Sequence, residues 1–183
     1  MVKRTNINRI DGLTTSGFTL IEALVAISIL VVSLTGPLTL AIKAISEAKI
    51  SQNQMVAFYL AQEAEEYIRN RRDSNFLSGV SWLSGLNNCW AANGCVVDIT
   101  EPVLGNQING CGGGGCPNIK YDESGRYYNY ANGQNTIFKR TVNIDRINIG
   151  GGLDEAKVVV IVEWPEKSGV KSFVLEDHLF NWK

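Results

Sequence analysis

With 183 residues, 17 Lys and Arg against 18 Asp and Glu, and a net charge of -1, the chain has no basic excess to hold a nucleic-acid backbone. Its length suits one modest domain plus a membrane helix, and its four cysteines all lie beyond residue 88, as expected of a chain exported to an oxidising compartment.

Residues 1–17 are polar, with Lys3, Arg4 and Arg9 and a single acid, Asp11. The stretch from Phe18 to Ile42 reverses that character: over 25 residues Glu22 is its one charged side chain, and the next is Lys43. A helix rising about 1.5 Å per residue needs about 20 residues to cross the hydrocarbon core of a bilayer, so residues 18–42 are read as a transmembrane helix. Its basic flank predicts a cytoplasmic N-terminus and a translocated C-terminal bulk. A carboxylate within such a span is expensive, and Glu22 is therefore a candidate functional residue in need of a cationic partner. Gly36-Pro37 interrupts the run, and a kink is expected because proline lacks a backbone donor and clashes with the preceding turn. In membrane helices such breaks are tolerated.

The segment GFTLIEALVAISIL (residues 17–30) resembles the processing site and membrane helix of type IV pilins and of type II secretion pseudopilins. The resemblance covers residues 1 to about 45; the remainder matches only the general plan. It implies that residues 1–17 are a leader removed by a prepilin peptidase after Gly17, that Phe18 becomes the N-methylated terminus, and that Glu22 serves filament assembly. Unlike a secretory signal, this leader is polar and the apolar core follows the cut. Removing residues 1–17 takes away three basic side chains and one acidic, leaving 14 against 17 and a net charge of -3. An uncleaved signal anchor is the plainer reading, and the FTLIE stretch argues against it.

The helix is expected to continue as an amphipathic extension over 43–75. Ala44, Ala48, Met55, Ala57, Leu60, Ala61, Ala64, Tyr67 and Ile68 recur mostly at spacings of three, four and seven, while Glu47, Gln52, Gln62, Glu66 and Arg69 occupy the other side. Arg69, Arg71 and Arg72 suit the negative end of a helix dipole, and Asp73-Ser74-Asn75 is expected to end it. The small residues Ala57, Ala61 and Ala64 would let a sheet approach closely.

Residues 76–183 are expected to form an extracytoplasmic, β-rich domain. Its first part is irregular: Trp82, Leu83, Leu86 and Trp90 read as a cap on the core edge, and Cys95–Ile99 as a short strand. The glycine-rich run 110–117 is too costly to order as a regular element. Four cysteines permit three pairings, and short-range closure favours Cys89 with Cys95 and Cys111 with Cys116. A four-thiolate zinc site fits those spacings poorly. Asp122, Glu123 and Ser124 lack the ligand spacing of a calcium loop, and Tyr128 and Tyr130 read as a strand edge or exposed contact surface.

Three strand signals close the chain. Residues 137–144 alternate, with Phe138, Val142 and Ile144 on one side; 156–164 is a near-continuous β-branched run expected to be central and covered on both faces. Residues 165–169 form a hairpin loop, 170–175 return, and the tail Leu179-Phe180-Asn181-Trp182 is expected to tuck against the domain. The architecture is α+β: a long N-terminal helix packed on a C-terminal antiparallel sheet.

No nucleophile elbow, HExxH, phosphate loop or dinucleotide fingerprint is present. His178 is the only histidine, and beside Asp177 it reads as solvent-facing or core-edge rather than as a general base. Neither an enzyme, a small-molecule substrate, a metal nor a cofactor is expected. The resemblance implies a minor pilin or pseudopilin that starts in the cytoplasmic membrane and ends in an extracellular or periplasmic filament. Its partners would be other pilin or pseudopilin subunits, the prepilin peptidase and, before assembly, lipid. The other reading is a membrane-anchored extracytoplasmic binding module that never polymerises. Major or minor subunit, pilus or secretion machine, and any surface or nucleic-acid binding by the domain stay open at the level of sequence.

Overall fold

The computed structural model describes residues 17–101, 107–149 and 152–181. The leader basic residues Lys3, Arg4 and Arg9, the connection at Gly150-Gly151, and Trp182 lie outside the described residues. The chain divides into two compact units, up to Glu47 and from Ala48 onward. One helix, α1 (Leu20–Leu77), contributes to both.

In the first unit α1 is apolar almost without interruption, and none of its side chains is buried. Its hydroxyl residues turn back onto the helix. Ser28 Oγ donates to the Leu24 carbonyl at 2.8 Å, Ser33 Oγ to Leu30 at 2.9 Å, and Thr39 Oγ1 to Gly36 at 2.8 Å. Such bonds satisfy polar atoms in a segment without water. The helix runs through Gly36 and Pro37 without a break.

In the second unit the remaining turns of α1 pack on a seven-stranded antiparallel sheet. Its strands are β1 (Cys95–Val97), β2 (Ile108–Gly110), β3 (Asn118–Asp122), β4 (Tyr127–Asn129), β5 (Gln134–Ile149), β6 (Gly152–Glu166) and β7 (Gly169–Phe180). Strand β6 lies between β5 and β7, with Val160 opposite both Val142 and Leu175. The other edge of β5 is shared, β3 pairing along 134–139 and β1 at Val142 only, while β2 and β4 extend β1 and β3.

Alternation decides the core. Ala156, Val158, Val160, Val162 and Trp164 of β6 face α1 with Phe138, Val142 and Ile144 of β5 and Leu179 of β7. Ala57, Leu60, Ala61, Ala64 and Ile68 meet them from the helix, and each fully buried large aliphatic contributes roughly 1.5–3 kcal/mol. The buried stripe starts at Ala57, not earlier: Ala44, Ala48 and Met55 are exposed, because the described sheet offers them no surface.

Three expectations are corrected. Helix α1 runs through Asp73-Ser74-Asn75 to Leu77, because tertiary bonds outweigh the turn preference of those residues. Buried Asn75 donates from Nδ2 to the carbonyls of Trp82 (3.1 Å) and Ser84 (2.8 Å). The true stop is Gly79 at φ 68°, where Gly79 N–H bonds Phe76 O and Val80 N–H bonds Asn75 O, a Schellman closure. Arg72 consequently reaches the Phe180 carbonyl at 3.0 Å rather than capping the dipole.

Strand β6 is central but covered on one face only among the described residues. On the other, Lys157, Val159, Ile161 and Glu163 are half-exposed between Thr141, Asn143, Val174 and Glu176 of the flanking strands. The β-branched run thus reflects cross-strand packing rather than a second layer. The hairpin after it is also tighter than expected: Glu166 pairs with Gly169 (φ 117°) across a two-residue turn.

Tyr128, on edge strand β4, and Tyr130 are both half-buried and pack against the core, rather than forming an exposed contact surface; Tyr130 lies beneath Arg140, whose guanidinium carbon is 5.8 Å from the ring centroid. Trp82, Leu83 and Leu86 are buried, and Leu179, next to last in β7, is inside the core.

Candidate functional site

The first turn of α1 is built from the residues that carry the processing motif. Thr19 stands just before the helix, and its Oγ1 accepts the Glu22 backbone N–H at 3.3 Å, while its carbonyl accepts Ala23 N–H at 3.1 Å. Thr19-Leu20-Ile21-Glu22 is therefore an N-cap followed three residues later by an acid, the capping-box spacing. Sequence reasoning singled out Glu22 and missed Thr19, although that spacing was available. The arrangement also sets the Glu22 charge within the first turn, where the helix dipole favours an anion.

Gly17 precedes this turn with nothing within 4 Å of where a Cβ would stand, and Phe18 is 77% exposed. The peptide bond between them lies in the irregular segment just before the helix. Glu22 is exposed as well. From Leu20 to Ile45 the helix presents large aliphatic side chains more than half exposed on all sides. No described residue covers them.

Residues 14–36 match the prokaryotic N-terminal methylation motif family. That motif, over these residues, supports a type IV pilin-like family member. No curated protein and no solved structure matches it significantly. The motif family points to a structural rather than an enzymatic protein, and α1 is long and apolar enough to cross a membrane. Together they fit a membrane-anchored pilin.

Beyond the motif, a set of polar clasps fixes the second part of α1 to its sheet. Arg140, 2% exposed, donates to the Leu60 carbonyl at 2.7 Å, Glu63 Oε2 at 2.6 Å and the Val97 carbonyl at 2.5 Å. A buried guanidinium is tolerable because those acceptors converge on it. Nearer the C-terminal end of α1, Arg69 contacts Asp177 Oδ2 at 3.2 Å and stands 2.6 Å from Glu65 Oε1 without hydrogen-bond alignment. Burial, then a hydrogen bond to Asp177, pushes the Glu65 carboxyl up to about 7 against the pull of Arg69. Burial also acts to raise Asp177, but hydrogen bonds from Glu65, the His178 N–H and Arg69 outweigh it and hold that carboxyl below its usual range. The surroundings thus favour the protonated form at Glu65 and the ionised form at Asp177. His178, exposed on the opposite face of β7, pairs with Glu155.

The four cysteines form two bridges, Cys89–Cys95 and Cys111–Cys116. The first ties a short 3-10 helix (Asn87–Trp90) to β1, and the second closes the glycine-rich loop. Asp122 Oδ1 accepts Ser124 N–H at 2.8 Å and Gly125 N–H at 3.4 Å, so this carboxylate closes a turn.

Proposed function

We propose that the chain is a minor pilin or pseudopilin, a structural subunit cut after Gly17, methylated on Phe18 and drawn from the cytoplasmic membrane into a helical filament. The observation that carries this reading is the first unit of α1: a motif-bearing apolar helix, uncovered on every side, with one acid in its first turn. Lipid suits that surface before assembly and the helices of neighbouring subunits afterwards. In the dry filament core the Glu22 carboxylate would accept hydrogen bonds from the Phe18 ammonium of an adjacent subunit, each charge offsetting the desolvation of the other. Apolar packing of residues 18–42 would supply most of the association energy. Gly36 and Pro37 would allow the span to bend as it moves from lipid to filament. The domain beyond, with Arg140 and the Cys89–Cys95 bridge in its core, would stay on the filament surface.

The deciding measurement is the ratio of chain in sheared filaments to chain in membranes, with N-terminal mass determined in both pools. A mature mass beginning at methylated Phe18 and recovery in filaments are expected. A chain processed at Gly17 but confined to membranes would instead favour an anchored, non-polymerising module.

A further inference from the structure

We propose that the cleft around Trp90 is a binding site for a neutral saccharide. Trp90 is 37% exposed, whereas Trp82 and Trp164 are buried in the core. It lines two adjoining clefts of ≈ 310 Å³ and ≈ 360 Å³, both of which also include Asp145.

The aromatic side chain is held in place from two directions. It ends the 3-10 helix directly after Cys89, whose bridge to Cys95 anchors that helix to β1, and Cys95 registers with Val142 of β5. Arg146 of the same β5 lies over the indole at 4.0 Å. A platform so fixed loses little conformational freedom when a ligand arrives.

Around it, Asn143, Asp145 and Asn148 make no side-chain hydrogen bond or ion pair with any described residue. An aromatic ring offers C–H groups a flat apolar surface, and planar amide and carboxylate groups can bond adjacent hydroxyls. Asn143 and Asp145 share one face of β5, Arg146 lying on the other over the indole, and the carboxylate of Asp145 disfavours an acidic sugar. A polyhydroxylated neutral ring set against the indole would bond Asn143 and Asp145 together. An added peptide strand is the competing occupant, because β5 has no strand neighbour beyond Val142 on that edge among the described residues. It would leave the unpartnered amides and carboxylate without a specific use. The site lies wholly within the second unit and does not depend on polymerisation.

The test uses the full mature chain in a zwitterionic detergent free of sugar headgroups. Neutral gluco-, manno-, galacto- and N-acetylglucosamine oligosaccharides of two to four rings are screened by saturation-transfer NMR, with affinity read from tryptophan fluorescence. At least one is expected to bind, with Kd raised about tenfold or more by Trp90→Ala, the loss typical of a truncated aromatic anchor. Asp145→Ala removes an exposed side chain without partners; it should keep the fold and the disulfides while raising Kd several-fold. This second variant keeps the site testable even where Trp90→Ala fails to fold. The proposal is overturned by no saturation transfer at millimolar saccharide, by an affinity unchanged in Asp145→Ala and in a folded Trp90→Ala, or by binding of extended peptides alone.

Discussion

Helix α1 contains two stretches with the same backbone geometry and different solvents. Before Glu47 its aliphatic side chains are exposed all round, and its hydroxyls bond its own carbonyls. From Ala57 onward one face is small, apolar and buried, and the other carries charge. The first stretch depends on something outside the described chain to cover it. The second is completed by its own sheet through Arg140 and Arg69, and by the following loop through Asn75. Substitutions should therefore act on assembly in the first stretch and on folding in the second.

The largest separation is expected at the N-terminus. Gly17→Val should leave an uncut precursor longer by 17 residues, read by intact mass, because a branched side chain crowds the scissile bond. Glu22→Ala should be inserted and cleaved normally, since it makes the helix more apolar, yet be nearly absent from sheared filaments. Glu22→Lys should be worse, opposing two cations. Equal incorporation of Glu22→Ala and wild type would mean that apolar packing alone recruits the subunit. Neither change at Glu22 should alter the denaturation midpoint of the second unit.

Within the second stretch the expected effects are on stability. Arg140→Met leaves the Leu60 and Val97 carbonyls and Glu63 without their shared donor, for a loss of roughly 3–5 kcal/mol. Denaturant titration of the full chain in detergent would measure it, and a loss below about 1 kcal/mol would show that water replaces the guanidinium. Next in size, Ala61→Leu should cost roughly 1–3 kcal/mol by overpacking a fully buried position. Its counterpart Ala26→Leu, on the exposed first stretch, should leave the same titration unchanged.

The sequence carried the parts of this comparison that rest on local pattern. A 25-residue apolar run with one acid, a stripe of alanines and an alternating strand at 137–144 are periodicities, and they translate into a span, a packed face and β5. What it hid depends on partners distant in the chain. Asp73-Ser74-Asn75 reads as a helix end, and only the loop carbonyls of Trp82 and Ser84 show why Asn75 stays helical. A run such as 156–164 looks the same whether its second face meets another layer or merely neighbouring side chains. Arg140 was indistinguishable from a surface cation, because its three acceptors come from α1 and β1. In the site itself, Thr19 was readable from the capping spacing, whereas the environment of Trp90 required knowing that Cys89 lies beside β5.

The smallest predicted effect concerns the acid pair on the helix–sheet seam. Glu65 is raised in the folded chain from an ordinary value of 4.5 to about 7, so folding takes up a proton there. Its favourable contribution is complete below the unfolded value and is lost as pH rises through about 7. Asp177 is lowered from 3.8 and behaves oppositely: its contribution is present above that value and is lost as pH falls through the folded one. The two together favour mildly acidic conditions, and between about pH 5 and 8 only the loss from Glu65 operates. Arg69 and Glu66 face the pair from α1 with opposite charges and partly compensate, and solvent screens the seam. The net loss over that interval is expected to be on the order of 1–2 kcal/mol. Glu65→Gln keeps a donor toward Asp177 and removes the titration, so it should match wild type at about pH 5 and exceed it at about pH 8. Denaturation midpoints at both values would measure this, with His178 replaced by Gln in both proteins to remove the pair with Glu155 on the outer face of β7. A wild-type slope that persists in Glu65→Gln would place the titrating group elsewhere on the second unit and leave Glu65 and Asp177 as an ordinary ion pair with Arg69.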